Sequence, residues 1–190
     1  MTIATPGTTL NGHATRAPMQ TSQVASAAIA LLDQAAAFIR TVSTPAYAAE
    51  SRTIRGGTIG KHIRHTLDHF RACLDGAAPG SVADYDHRER NVPMETDRDQ
   101  ALDAIAALRA RLERIGDDGL RTPMRVRVML TGDGLHAELG STLGRELAFA
   151  AHHAVHHHAM LTAIAAELGI SVGSGFGKAP STICHDRESR

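Results

Sequence analysis

Five of the chain's twelve histidines fall in one seven-residue stretch, 152–158, within a run rich in alanine and leucine. Three more, His62, His65 and His69, follow one another at three- and four-residue steps. Residues at this spacing lie on one face of an α-helix. Neutral imidazole is a common protein ligand for zinc, iron and nickel. The two segments therefore predict a helical protein that builds a metal site from two helices.

Composition narrows the class of protein. A length of 190 residues suits one domain with its own core. Lys+Arg and Asp+Glu both total 20, which argues against a nucleic-acid-binding domain because such domains usually carry a basic excess. Two cysteines indicate a reducing compartment without a disulfide framework. We find no apolar run near 18 residues and no signal-peptide pattern, so we expect a cytoplasmic protein without a membrane span.

Apolar residues recur at helical spacing in four segments, and aromatic residues, which favour strands, make up only 3% of the chain. The predicted helices cover 21–42, 58–74, 97–115 and the segment from the cap Ser141 to residue 168. Before the last helix, 124–130 and 135–139 flank a turn sequence at 131–134 and predict a β-hairpin. We expect an all-α fold, a four-helix up-down bundle at 21–170 with this small hairpin. Residues 1–20 are interpreted as a disordered arm, and 171–190 as a tail packing on the bundle.

Helical geometry assigns different positions to the adjacent histidines of the last helix. His153 and His157 fall in the middle of its apolar face, on the same stripe as Glu146. His152 and His156 flank that face, and His158 points away toward solvent. Burying two histidines on one face requires polar partners or a metal.

The second helix offers further ligands. Its histidines His62, His65 and His69 lie within about 60° of arc on one flank of the apolar face, where a neighbouring helix can meet them. One of them, with His153 and His157, completes a three-nitrogen set that leaves open coordination positions. The remaining histidines donate hydrogen bonds to the metal ligands, bind a second metal or are ordinary half-exposed residues. Arg64, on the opposite side of this helix, is expected in solvent.

Residues 77–98 are rich in charge and contain two prolines, which predicts a long loop. Tyr85, Asp86, Arg88 and Arg90 are its candidates for orienting a substrate. Glu146 is a candidate base or metal-site partner. The alternative for the loop is a solvated charged segment without a role in a site.

Two motifs resemble the DinB-like superfamily of helical bundles over roughly residues 20–170. One is TIGKHIRH at 58–65, in which a small capping residue, Thr58, stands seven positions before His65. The other is the HxxxH pair His153 and His157. The resemblance implies that His65, His153 and His157 are the metal ligands. Family members include thiol-dependent transferases and isomerases, hydrolases and the bundle domain of iron-dependent sulfoxide synthases.

The chain carries more histidines than that ligand set, with His62, His69 and His156 among the candidates for a second metal or an altered substrate environment. We therefore expect a metal-dependent enzyme that uses one or two divalent ions (Fe, Zn or Ni) to activate a small-molecule thiol, water or oxygen. The alternatives are a non-catalytic metal- or small-molecule-binding protein and a scaffold whose histidines serve packing. We expect a small-molecule substrate, no nucleic-acid or membrane partner, and either a monomer or a homodimer.

Overall fold

The computed structural model describes residues 20–87, 89 and 91–189. This part of the chain is mostly helical, with a small three-stranded sheet. In chain order the elements are α1 (Gln23–Thr41), α2 (Thr44–Ala48), α3 (Ile59–Gly76), β1 (Ala83–Asp84), α4 (Arg98–Leu112), β2 (Pro123–Met129), β3 (His136–Thr142), α5 (Leu143–Glu167) and α6 (Pro180–Glu188). The predicted arm lies almost wholly outside the described residues.

The four long helices α1, α3, α4 and α5 match the four predicted helical segments to within a few residues. Each begins after a side chain that accepts a hydrogen bond from a backbone amide of the first turn, namely Ser22, Thr58, Asp97 and Thr142. The cap of helix α5 is thus Thr142 rather than the expected Ser141. The short helices α2 and α6 fall where no helix was predicted, because proline occupies the first turn of each and is tolerated there.

The long helices pack around one apolar core. Helix α3 packs against α4 and α5, and α1 packs against the same two helices. The largest fully buried side chains come from all four helices and from α2, and they include Leu32, Ile63, Phe70, Ile105, Leu147 and Tyr47. The α3–α5 contact positions the two histidine-rich segments side by side.

The sheet has the order β1-β2-β3. Strands β2 and β3 form the predicted antiparallel hairpin, in which Val126 pairs with Leu139. Strand β1 was not predicted and pairs parallel to β2 through only two residues, Ala83 and Asp84. An all-α description is therefore too narrow for this fold.

The loop after α3 returns to the start of that helix. A single 3₁₀ turn, Pro93–Glu95, lies against Gly60, and the Tyr47 hydroxyl donates to the Met94 carbonyl oxygen at 2.9 Å. Arg64 is buried here and pairs with Glu95 at 2.9 Å and with Asp68 at 2.8 Å. The expectation that Arg64 lies in solvent is wrong, because this loop covers its side of α3.

Helix α1 alone among the described helices is long and apolar enough to span a membrane by length and composition, with a mean hydropathy of 1.3. The sequence was expected to contain no apolar run long enough to span a membrane, and α1 disagrees with that expectation. The finding is weak evidence for a span, because a core helix passes the same test. Ala25, Ala28, Leu32 and Ile39 of α1 are wholly buried in the core.

Candidate metal centre

Three histidines from two helices converge at the α3–α5 contact. His65 comes from α3, and His153 and His157 come from consecutive turns of α5. One ring nitrogen from each lies within 4.8 Å of the others. His157 is buried, whereas His65 and His153 are partly exposed. In the described part of the chain, no other group of three histidine, cysteine or carboxylate side chains comes as close together.

The spacing of one pair of these nitrogens matches that of two ligands on a transition-metal ion. Metal–nitrogen bonds of about 2.1 Å place two ligand nitrogens about 3.0–3.4 Å apart at octahedral or tetrahedral angles. Nε2 of His65 and Nε2 of His153 are 2.9 Å apart. Three imidazole nitrogens form a donor set that zinc, iron and nickel accept, and it leaves coordination positions for other ligands.

A fourth histidine holds one member of this group in place. Nδ1 of His62 lies 2.9 Å from Nδ1 of His157, so one nitrogen donates and the other accepts. When Nδ1 of His157 is the donor, its Nε2 carries the lone pair that can bind a metal. Burial, followed by the neighbouring histidines, lowers the pKa of His157 to about 3. Burial, and secondarily His156, also lowers the pKa of His62. His157 is therefore neutral at pH 7, which is the form that binds metals.

The other two histidines predicted as ligands lie around the group. His69 is buried, with its ring centroid 3.9 Å from that of His153. His156 is exposed, and its ring centroid lies 5.3 Å from that of His157. Both therefore border the three converging histidines, and their roles as ligands stay predictions.

Glu146 and Tyr85 are brought together beside this cluster. The buried Glu146 carboxylate accepts hydrogen bonds from the Tyr85 hydroxyl at 2.7 Å and from the Ser141 hydroxyl at 2.6 Å. The Tyr85 ring stacks on His69 with centroids 5.0 Å apart. Burial is the main cause that raises the Tyr85 pKa, so the hydroxyl stays protonated. Arg88, the third predicted catalytic residue, lies outside the described residues.

Two residues near Glu146 were missed by the sequence interpretation. Ser141 was interpreted only as a helix cap, although its hydroxyl binds the Glu146 carboxylate. Cys73 is fully buried on α3, and burial, with a further contribution from Glu146, raises its thiol pKa to about 12. A thiol that stays protonated is a poor nucleophile, so Cys73 serves packing. The only feature of the sequence that pointed to Cys73 was its position on the buried face of α3.

His158 is not in solvent, and that expectation is wrong. Its side chain is fully buried, and its ring stacks on Phe176 with centroids 4.5 Å apart. Phe176 belongs to the segment after α5, which crosses back over this helix. Gly177 passes so close that an added Cβ would lie 2.7 Å from the backbone of Ala159. Burial lowers the pKa of His158 to about 4.

Comparison with known proteins supports the family resemblance noted in the sequence. A region of 106 residues, 55% of this chain, is 40% identical to FK506-binding protein 5 of Rhizopus delemar. The match spans 28% of that protein, so the chain corresponds to less than a third of the relative's length. No solved structure matches the chain. The family profile of the DinB superfamily matches residues 20–161, which include α1, α3, α4 and all three converging histidines. With three quarters of its length matched, the chain belongs to the DinB superfamily.

Proposed function

We propose that this protein is a metal-dependent enzyme in which His65, His153 and His157 hold one divalent metal ion. The observation that carries the proposal is the convergence of three histidine ring nitrogens within 4.8 Å, drawn from two helices. Iron, zinc and nickel are the candidate metals, because imidazole nitrogen suits all three. When bound, such an ion lowers the pKa of a coordinated water or thiol, or, if it is iron, supports oxygen chemistry.

The surrounding side chains support a role beyond packing. His62 fixes the ring of His157 through the Nδ1 contact, and partners of this kind orient metal ligands. Glu146 is proposed as the group that accepts a proton from the substrate, and Tyr85 as its positioning residue, because the Tyr85 hydroxyl holds one carboxylate oxygen. The predicted substrate-orienting role of Arg88 remains part of the proposal.

We also propose the substrate class, the cellular compartment and the oligomeric state of the enzyme. The substrate is a small molecule, since the histidines line a contact between two helices rather than a broad surface. Cys73 and Cys184 are both free, in keeping with a reducing compartment such as the cytoplasm. The enzyme acts as a monomer or a homodimer, without a nucleic-acid partner.

One observation favours a second candidate, a metal-binding protein without turnover. The ring of His69 lies 3.9 Å from that of His153, centroid to centroid, and His156 lies close to His157. Additional imidazoles at this range would occupy coordination positions that a substrate requires. Cobalt-substituted protein distinguishes the two functions: its visible spectrum changes on addition of 2-mercaptoethanol only if a coordination position is open.

Elemental analysis of the purified protein tests the metal site. We expect about one metal ion per chain in the wild type and a loss of bound metal in the His153→Ala/His157→Ala variant. His152→Ala is the matched control, because His152 is exposed on the same helix and should leave the metal content unchanged. The proposal fails if the wild type holds no stoichiometric metal or if the double variant retains it.

A further inference from the structure

A cavity of about 270 Å³ lies between the sheet and the first turns of α5. Its apolar walls are Val126, Val128, Leu139 and Phe149. The volume is close to the lower end of the roughly 300–1,000 Å³ range of small-molecule sites. Phe149 also contacts the histidine cluster, with its ring centroid 6.0 Å from that of His153. The cavity therefore borders the candidate metal centre without being lined by its histidines.

The two charged side chains that line this cavity differ in whether they already have partners. The exposed Arg145 forms no ion pair with any described residue, and its guanidinium carbon lies 5.9 Å from the ring centre of Phe149. The Glu146 carboxylate also lines the cavity, but each of its oxygens already accepts a hydroxyl hydrogen bond, from Tyr85 and from Ser141. The cavity thus has one cation without an ion-pair partner at its rim and one carboxylate whose oxygens each accept one internal hydrogen bond.

Two large apolar side chains of the cavity are left open to solvent. Leu139 is 54% exposed and Phe149 is 37% exposed. Adjacent exposed apolar groups around a concavity are typical of a surface that a ligand covers. An apolar chain lying along Val128, Leu139 and Phe149 would remove this surface from water.

We propose that this cavity binds a small monocarboxylate with a short apolar chain. The carboxylate pairs with the Arg145 guanidinium, whose planar donors match a carboxylate in a two-bond geometry. The chain lies against Val128, Leu139 and Phe149. A second negative charge is disfavoured because Glu146 lies within the same cavity. The inference depends on the proposed function in one respect: it takes such a carboxylate as the class of substrate on which the histidine site acts.

Pentanoate is the probe for this site, and pentanamide is its uncharged counterpart. An NMR titration of the metal-free, ¹⁵N-labelled protein with pentanoate should shift the amides of Gly140 and Arg145, which lie at the cavity. Arg145→Gln should weaken pentanoate binding by about fivefold, the upper end of the effect of an exposed ion pair. Arg40→Gln, which removes an exposed arginine from α1, should leave it unchanged. Pentanamide should bind wild-type protein more weakly than pentanoate.

Equal binding of pentanoate to wild type and Arg145→Gln, or equal binding of pentanoate and pentanamide to wild type, would overturn the inference. Repeating the titration with zinc-loaded protein separates it from the metal proposal. If pentanoate binds only with zinc present and regardless of Arg145, the carboxylate is a metal ligand and the cavity assignment is wrong. If pentanoate binds through Arg145 while the protein takes up no zinc, the cavity assignment stands and the metal-dependent function fails.

Discussion

His157 and His158 are adjacent on α5, yet their rings have different surroundings. His157 faces His62 across the helix contact, and its Nδ1 has a partner at 2.9 Å. His158 faces the segment that follows α5, and no described residue hydrogen-bonds to either of its ring nitrogens. One ring is thus held by a polar partner and left with a nitrogen for a metal. The other is buried and stacks on Phe176.

The contact between His62 and His157 predicts how substitutions of His62 affect metal binding. His62→Ala should weaken zinc binding about 10–100-fold, the usual effect of removing the partner that orients a ligand. His62→Asn should restore most of the affinity, because an asparagine amide can reach the position of Nδ1. Zinc titration with a competing chelator measures both. If His62→Asn binds zinc as weakly as His62→Ala, then His62 is a direct ligand instead of an orienting partner.

The burial of His158 predicts an acid-sensitive contribution to stability. Its pKa is about 4 in the folded protein and near 6.5 in the unfolded chain. The unfolded state therefore binds the extra proton between those pH values, and stability falls as the pH is lowered through that window. At pH 5 this amounts to about 2 kcal/mol.

Replacement of His158 by phenylalanine tests this contribution. His158→Phe keeps the stacking on Phe176 and removes the titrating group, so the metal-free variant should lose about 2 kcal/mol less than wild type between pH 7 and pH 5. Urea unfolding at both pH values measures the difference. His152→Phe, an exposed change on the same helix, should show the wild-type dependence on pH. An unchanged pH dependence in His158→Phe would show that the ring is protonated in the folded state.

At the scale of elements, the start of α3 is positioned by a close contact with the 3₁₀ turn Pro93–Glu95. A Cβ added at Gly60 would overlap the Glu95 carbonyl group and lie 2.7 Å from Cε1 of Tyr47. Only glycine allows this approach. The contact fixes the start of α3, the helix from which His62 and His65 project toward α5.

This contact reverses the usual effect of a glycine-to-alanine change in a helix. Alanine normally stabilises a helix by about 1 kcal/mol relative to glycine. Gly60→Ala should instead destabilise the protein by about 1–3 kcal/mol or more, because the turn must move to make room. Gly132→Ala is the control, since an added Cβ there meets no atom within 4 Å. Thermal unfolding compares the two, and a stabilised Gly60→Ala would contradict the packing described for this turn.

The helices and the inward histidine pair could be predicted because they depend on local periodicity. Thr58 caps α3 as expected, and His153 and His157 share one face because they stand four residues apart. Strand β1 has only two residues, too short to show a pattern. The burial of His158 depends on a glycine-rich segment that has no period and whose Phe176 ring stacks on the histidine.

Contacts between segments that are far apart in the chain could not be predicted from the sequence either. Tyr85 and Glu146 were proposed separately, but their hydrogen bond joins residues 61 positions apart. Arg64 looked solvated from the helical wheel and is buried by a loop about 30 residues later in the chain. Periodicity specifies which face of a helix is apolar, whereas it carries no information on which loop covers the other face.

At the scale of the whole molecule, a metal on His65, His153 and His157 would connect α3 to α5. A ligand that binds only the folded state stabilises it by about 2.7 kcal/mol at a concentration 100-fold above its dissociation constant. For a chain of this length, that corresponds to a rise in melting temperature of about 5–10 °C. Zinc should produce this rise in the wild-type protein, and EDTA should reverse it.

The His153→Ala/His157→Ala variant provides the comparison for this effect. Its melting temperature should be insensitive to zinc and to EDTA, as measured by scanning calorimetry. A zinc-dependent rise in the variant equal to that of wild type would place the stabilising metal elsewhere on the molecule.

The separation of 88 residues between His65 and His153 has a consequence for how the protein acquires its metal. During synthesis, α3 leaves the ribosome long before α5 has been made. A nascent chain holds only one of the three converging histidines until residue 153 is added, so the complete site cannot form before residue 157 has been made. A metal at these three histidines could therefore be bound only after α5 has been made.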